Sequence, residues 1–227
     1  MRRREVLTLL SAGVAGCGGG SQAPVAPVCN QAASVRIQLF GDSTQRGFLG
    51  DASGGVAVHS PAVELQAYFD ALYPGRVSVT ARAVDGSTAR QLRVGDDTLN
   101  LPWPGSVTAN IVVINHGIND LLVYRDLPGY VQDLRALSSA ATATVVFETP
   151  NVIKTGDLAP YAQAMRDVAR EKGLTVADTF SYTSALPNGL QLLGDNVHPS
   201  DALYQLISRN VMQPTLGPMV QRLLCGA

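Results

Sequence analysis

Apolar positions along the chain fall into two periods. Short apolar runs at Ser34–Phe40, Arg76–Val84, Ala109–Asn115, Thr142–Glu148 and Leu174–Ala177 read as strands. The third is almost purely apolar, as a strand covered on both faces requires. Between them apolar residues recur at helical spacing: Leu65, Tyr68, Phe69 and Leu72; Leu127, Tyr130, Val131 and Leu134; Tyr161, Met165, Val168 and Ala169; Leu203, Leu206, Ile207 and Val211. The first helix should open at Ser60-Pro61, with Ser60 as cap and Pro61 in the first turn, and stop at Pro74-Gly75. The third should end near Gly173. The last should break at Pro214, with a further helical piece running toward Leu224. Strand–helix alternation predicts a parallel sheet with helices on both faces and right-handed crossovers. Ligand sites in such sheets form beyond the carboxyl ends of the strands.

The first residues follow a different pattern. Arg2, Arg3 and Arg4 precede a short apolar run, Val6 to Ala15, and then small residues. That run is too short to span a bilayer and reads as a signal peptide over residues 1–16. Arg3-Arg4-Glu5-Val6-Leu7 resembles a twin-arginine export signal, and Sec export is the other route. Val14-Ala15-Gly16-Cys17 resembles a lipoprotein cleavage box with lipid added at Cys17; the alternative is an ordinary signal peptide with an incidental cysteine. Residues 17–33, rich in Gly, Pro, Ala and Ser, read as a flexible tether to a domain at 34–227. The expected location is the periplasm or outer membrane of a bacterium, with membrane contact only through the lipid.

Composition narrows the rest. The 227 residues are 46 % hydrophobic and 15 % charged with net charge −1, which suits a globular domain and gives no sign of nucleic-acid binding. No Cys/His/Asp spacing resembles a metal site, and no Gly-rich phosphate loop with the needed Lys follows a strand.

Four polar blocks follow the strands: Gly41-Asp42-Ser43-Thr44, Asp85-Gly86-Ser87, His116-Gly117-Ile118-Asn119-Asp120 and Asp195-Asn196-Val197-His198-Pro199. Ester hydrolysis needs such parts. A serine hydroxyl is a weak nucleophile until a base takes its proton, and histidine is the natural base near neutral pH. A carboxylate holds the imidazole in the right tautomer. Ser43 at a strand-to-helix turn, His198 and Asp195 three residues apart can supply all three. Gly86 offers an unobstructed backbone N–H and Asn119 a side-chain amide for a developing oxyanion.

These blocks resemble those of the SGNH hydrolases, the GDSL esterase/lipase family. Gly41-Asp42-Ser43 matches the first block, Gly86 the second, Gly117-Ile118-Asn119-Asp120 the third and Asp195-Asn196-Val197-His198 the last, across roughly residues 34–224. The resemblance implies a three-layer α/β/α, flavodoxin-like fold with a five-stranded parallel sheet. It implies Ser43 as nucleophile, Asp195 and His198 as its partners, and an oxyanion hole from the Ser43 and Gly86 N–H groups and the Asn119 amide, with no cofactor. Thr44 stands where the family often has Leu, which bears on pocket shape.

Other readings accompany these. Asp42 should brace its turn and Asp120 the loop carrying Asn119. His116 should lie near the site as a supporting donor, and His59 at the surface or rim. The loops Arg46–His59 and Arg93–Val107 could wall the pocket, whereas Trp103 in the second could simply pack on the domain. Cys29 lies just before the first strand and Cys225 at the end of the last helix, at the same edge; they could form a disulfide or stay free thiols. The expected substrate is a small-molecule or glycan ester, with a short acyl chain first. O-acetyl groups of a polysaccharide or the cell envelope, lysophospholipids and thioesters are enzyme alternatives. A catalytically silent ligand-binding lipoprotein is the non-enzyme alternative.

Overall fold

Five parallel strands, β1 (Val35–Gly41), β2 (Val77–Ala81), β3 (Ile111–Asn115), β4 (Thr144–Glu148) and β5 (Thr175–Ala177), pair in the order β2-β1-β3-β4-β5. The structure, a computed structural model, describes residues 29, 30, 32–51 and 53–226. The expected signal segment, Cys17 and most of the tether lie outside those residues.

Alternation along the strands divides the core in two. Phe40, Val112, Ile114, Val145 and Phe147 face α3 (Ala89–Val94), α4 (Leu127–Leu137) and α5 (Ala159–Lys172) through Leu92, Leu134 and Met165. Val35, Ile37, Leu39, Ile111, Val113 and Val146 face the other way. They pack on Leu65 and Phe69 of α2 (Pro61–Leu72), Leu203 of α7 (Asp201–Ile207) and Val220 of α8 (Gln213–Cys225). Every residue of β3 is buried, as its continuous apolar run requires. The strand order reverses direction at β1 and β3, so a crevice opens beyond Gly41 and Asn115.

Several elements depart from the sequence reading. The strands begin later than their apolar runs, because Arg76, Ala109 and Thr142 precede the paired registers. Ser60 stands before α2 but its side chain makes no capping bond; Pro61 fills the first turn and the Ser60 carbonyl accepts from Glu64 N at 3.0 Å. Pro214 does not break the last helix. A π-helical turn, Ser208–Met212, carries the chain without interruption from α7 into α8, and Pro214 lies in the first turn of α8, directly after that irregular turn. Two short helices, α3 and α6 (Thr179–Ala185), and a π-helical turn at Asp120–Tyr124 lie where no period marked them.

Cys29 and Cys225 are joined by a disulfide. Asn30 N donates to Leu224 O at 2.9 Å and Arg76 donates to Asn30 O, so Cys29 and Asn30, read as tether, are fixed to the domain. Among the described residues no helix is long and apolar enough to cross a membrane.

Candidate active site

The turn after β1 is built around its own side chains. Asp42 is the N-cap of the one-turn helix α1 (Ser43–Arg46), its Oδ1 accepting Thr44 N at 2.9 Å and Thr44 Oγ1 at 2.7 Å. Thr44 is buried, so it braces Asp42 rather than shaping the cleft. A side chain at Gly41 would meet Asn115 O at 2.6 Å, so only glycine lets β1 approach β3 here. As the first residue of α1, Ser43 has a backbone N–H with no partner in the turn.

The last block meets this turn from the other end of the chain. Ser43 Oγ lies 2.8 Å from His198 Nε2, and His198 Nδ1 lies 2.7 Å from Asp195 Oδ2. Asp195 Oδ1 also accepts the backbone N–H groups of Val197 and His198, each at 2.7 Å. Burial works to raise the Asp195 pKa, but the hydrogen bonds from His198 and Val197 outweigh it and hold the carboxyl below its usual range. The carboxylate fixes Nδ1 as the protonated nitrogen and leaves Nε2 free to accept from Ser43. The Phe48 and His198 rings meet edge to face at a centroid distance of 4.8 Å, and Tyr204 OH donates to Phe48 O at 2.8 Å. Gly50, at φ +68°, lies against the Asp195 carboxylate where no side chain would fit.

The remaining blocks form the facing wall. Gly86 has φ +74° with open space around its Cα, so backbone conformation rather than crowding calls for glycine. Asn119 Nδ2 donates to Asp42 Oδ2 and to Ser87 O, both at 3.1 Å. Ser87 Oγ donates to Gly41 O at 3.1 Å, so His116 Nε2, 3.2 Å away, carries the hydrogen that Ser87 Oγ accepts. His116 is therefore a neutral support buried behind the site, its pKa pushed down by burial to about 4. Asp120 accepts Ala89 N at 3.1 Å, tying the Asn119 loop to the start of α3, and burial pushes its pKa up to about 7. Burial likewise raises Asp42, opposed by the Thr44 hydrogen bonds and the proximity of His198.

Ser43, Phe48, Asp85, Gly86, Asn119, Leu122, Val197 and His198 line one cleft of about 320 Å³. Four of the five residues singled out for chemistry, Ser43, Gly86, Asn119 and His198, meet there, and Asp195 stands behind His198. Arg46 clamps Asp85 with two bonds of 2.6 and 2.7 Å beside it and lies over the Phe48 ring. The Arg46–His59 loop thus walls the cleft through Phe48. The Arg93–Val107 loop does not: Trp103 packs edge-on against Phe40 and donates to Ser139 O at 2.7 Å, on the domain side. His59 is a partly exposed residue held by Glu64 and by Asp201, which accepts His59 N at 2.7 Å. Phe48, Leu122 and Val197 were not singled out from sequence, since only the folded chain brings them to Ser43. Among the described residues no group of three or more His, Cys, Asp or Glu side chains is arranged to hold a metal ion.

Residues 39–206 match the family model described as GDSL-like lipase/acylhydrolase. Among solved structures, a lipase/acylhydrolase from Enterococcus faecalis aligns with TM-score 0.65 and 21 % identity, over 81 % of this chain and 96 % of the other. The acetyl xylan esterase AlAXEase aligns with TM-score 0.60 and 18 % identity, over 77 % and 96 %. A carbohydrate acetylesterase family member from Sinorhizobium meliloti aligns with TM-score 0.60 and 17 % identity, over 84 % and 99 %. At these identities the likeness is one of fold. No curated protein matches the chain.

Proposed function

Because the chain belongs to the GDSL-like lipase/acylhydrolase family, we propose that it hydrolyses carboxylic esters through an acyl-enzyme on Ser43. The observation that carries this reading is the relay Ser43 Oγ–His198 Nε2 at 2.8 Å and His198 Nδ1–Asp195 Oδ2 at 2.7 Å. His198 takes the Ser43 proton as Oγ attacks the ester carbonyl, and Asp195 stabilises the imidazolium. The oxyanion is met by the Ser43 and Gly86 N–H groups and by Asn119 Nδ2, which turns one hydrogen from its resting acceptors to the new charge. His198 returns the proton to the departing alcohol oxygen. It then takes a proton from water, whose oxygen attacks the acyl carbon; Ser43 leaves with the proton and the carboxylic acid is released.

Phe48, Leu122 and Val197 give the cleft of about 320 Å³ an apolar wall beside Ser43, which suits the acyl part of an ester, a short chain being the first reading. A second reading, removal of O-acetyl groups from a glycan, draws support from the polar rim at Arg46–Asp85 and from similar structures described as acetyl xylan and carbohydrate acetylesterases. Turnover of p-nitrophenyl acetate and longer esters tests the first, and acetate release from acetylated xylan the second. Ser43→Ala should lower either activity by about 10⁴-fold or more. Retention of activity in that variant would refute the assignment.

The proposal extends to location: export by residues 1–16 and lipid attachment at Cys17. The Cys29–Cys225 disulfide supports an oxidising compartment. Cys17→Ala should move the protein from the membrane to the soluble fraction of its native host.

A further inference from the structure

Beside the Ser43 turn, separate from the cleft, lies a small hollow of about 20 Å³ whose polar wall includes Thr44, Gln45, Asn115 and Glu148. Two polar atoms on this wall, Gln45 Nε2 and Glu148 Oε2, are buried and find no hydrogen-bond partner in the chain. Buried polar groups are seldom left so. The Gln45 amide is near enough to favour the charged form of Glu148, yet makes no direct bond to it. A third group is open as well. Thr44 has one hydroxyl hydrogen, which goes to Asp42 Oδ1 at 2.7 Å, so Asn115 Oδ1, 3.3 Å from Thr44 Oγ1, is left without that donor.

We infer that the hollow binds one internal water, held by Gln45, Glu148 and Asn115, and that Glu148 through this water is a positioning residue for the Ser43 turn. The volume suits one water, which needs about 10–15 Å³ of such space and typically about three partners. A metal cation does not suit the site, because the Gln45 N–H requires an acceptor. Thr179 Oγ1 donates to Glu148 Oε1 at 2.9 Å, so a proton on the carboxyl sits on Oε2, facing the hollow. Burial favours that protonated form, raising Glu148 to about 7. The water then accepts from Gln45 Nε2 and Glu148 Oε2 and donates to Asn115 Oδ1. It joins α1 to the ends of β3 and β4, the strands that lead to Asn119 and to the loop packed on Val197.

An atomic-resolution crystal structure of the wild-type protein tests the site. It should show one water, as well ordered as the core, within hydrogen-bond reach of all three groups. Gln45 closed directly onto Glu148 with no water between would overturn it. The positioning role rests on the esterase reading above and has its own test. Glu148→Leu should lower kcat on p-nitrophenyl acetate about tenfold with KM within about twofold, and Glu148→Gln, which keeps a donor at the hollow, should restore it. Wild-type kcat in Glu148→Leu, or equal loss in Glu148→Gln, overturns the role. A wild-type protein inert toward every ester would count against the esterase reading itself, leaving the crystallographic test of the water intact.

Discussion

Asn119 is held by Asp42: Nδ2 of the amide donates to the carboxylate oxygen Oδ2 at 3.1 Å, while the other oxygen of that carboxylate caps the turn presenting Ser43. One side chain thereby fixes both the proposed nucleophile, Ser43, and the proposed oxyanion donor, Asn119. Asp42→Asn sets an amide against an amide or gives up the Thr44 bonds. It should lower kcat/KM on p-nitrophenyl acetate by about 10- to 100-fold, somewhat less than full loss of an oxyanion donor. Wild-type rates in that variant would show that the pairing is incidental.

Phe48 plays the corresponding part for His198, the proposed base. Its ring packs edge to face with the His198 ring, and its carbonyl is anchored by Tyr204. Phe48→Ala should free the imidazole and lower kcat/KM about tenfold, of the order produced by small misplacement of a catalytic group. Tyr204→Phe should show a smaller loss in the same assay. If both variants match wild type, the cleft does not depend on this contact.

How far the sequence carries is visible in these same residues. The blocks at Ser43, Gly86, Asn119 and His198 were legible because turns and acyl-transfer chemistry restrict residue type, and their places after strands follow from the alternation of periods. Phe48 gave no signal, since its partner lies 150 residues away and a lone aromatic in a loop has no period. Helix α3 was hidden for a different reason: in six residues only Ala89 and Leu92 are buried, too few to display a helical repeat. Ser60 shows the opposite failure, a residue of capping type that precedes the helix although its side chain makes no capping bond.

The buried Glu148 makes stability depend on pH. Its pKa stands at about 7 in the fold against an ordinary value of 4.5. A raised value means that its contribution is fully present below about pH 4.5 and is lost as pH rises through 7. Glu148→Gln removes that dependence. Its stability relative to wild type should therefore improve between pH 4.5 and pH 8, by an amount on the order of 3 kcal/mol. Urea unfolding of both proteins across that range measures the difference; parallel curves would mean that Glu148 is not buried as described.

The Cys29–Cys225 bond closes nearly the whole domain, 196 residues apart in sequence. Replacing both cysteines by serine should cost about 2–5 kcal/mol of stability while leaving kcat unchanged, because the bond is remote from the cleft. Thermal melting with and without reductant, beside an ester assay, checks both halves.

Labelling with an organophosphonate tests the central claim most directly, because the reagent reports an activated serine without requiring the natural ester. The wild-type protein should gain one phosphonyl group, placed on Ser43 by peptide mass mapping, and Ser43→Ala and His198→Ala should remain unmodified. A wild-type protein that stays unlabelled, or carries the group on another residue, would contradict the account.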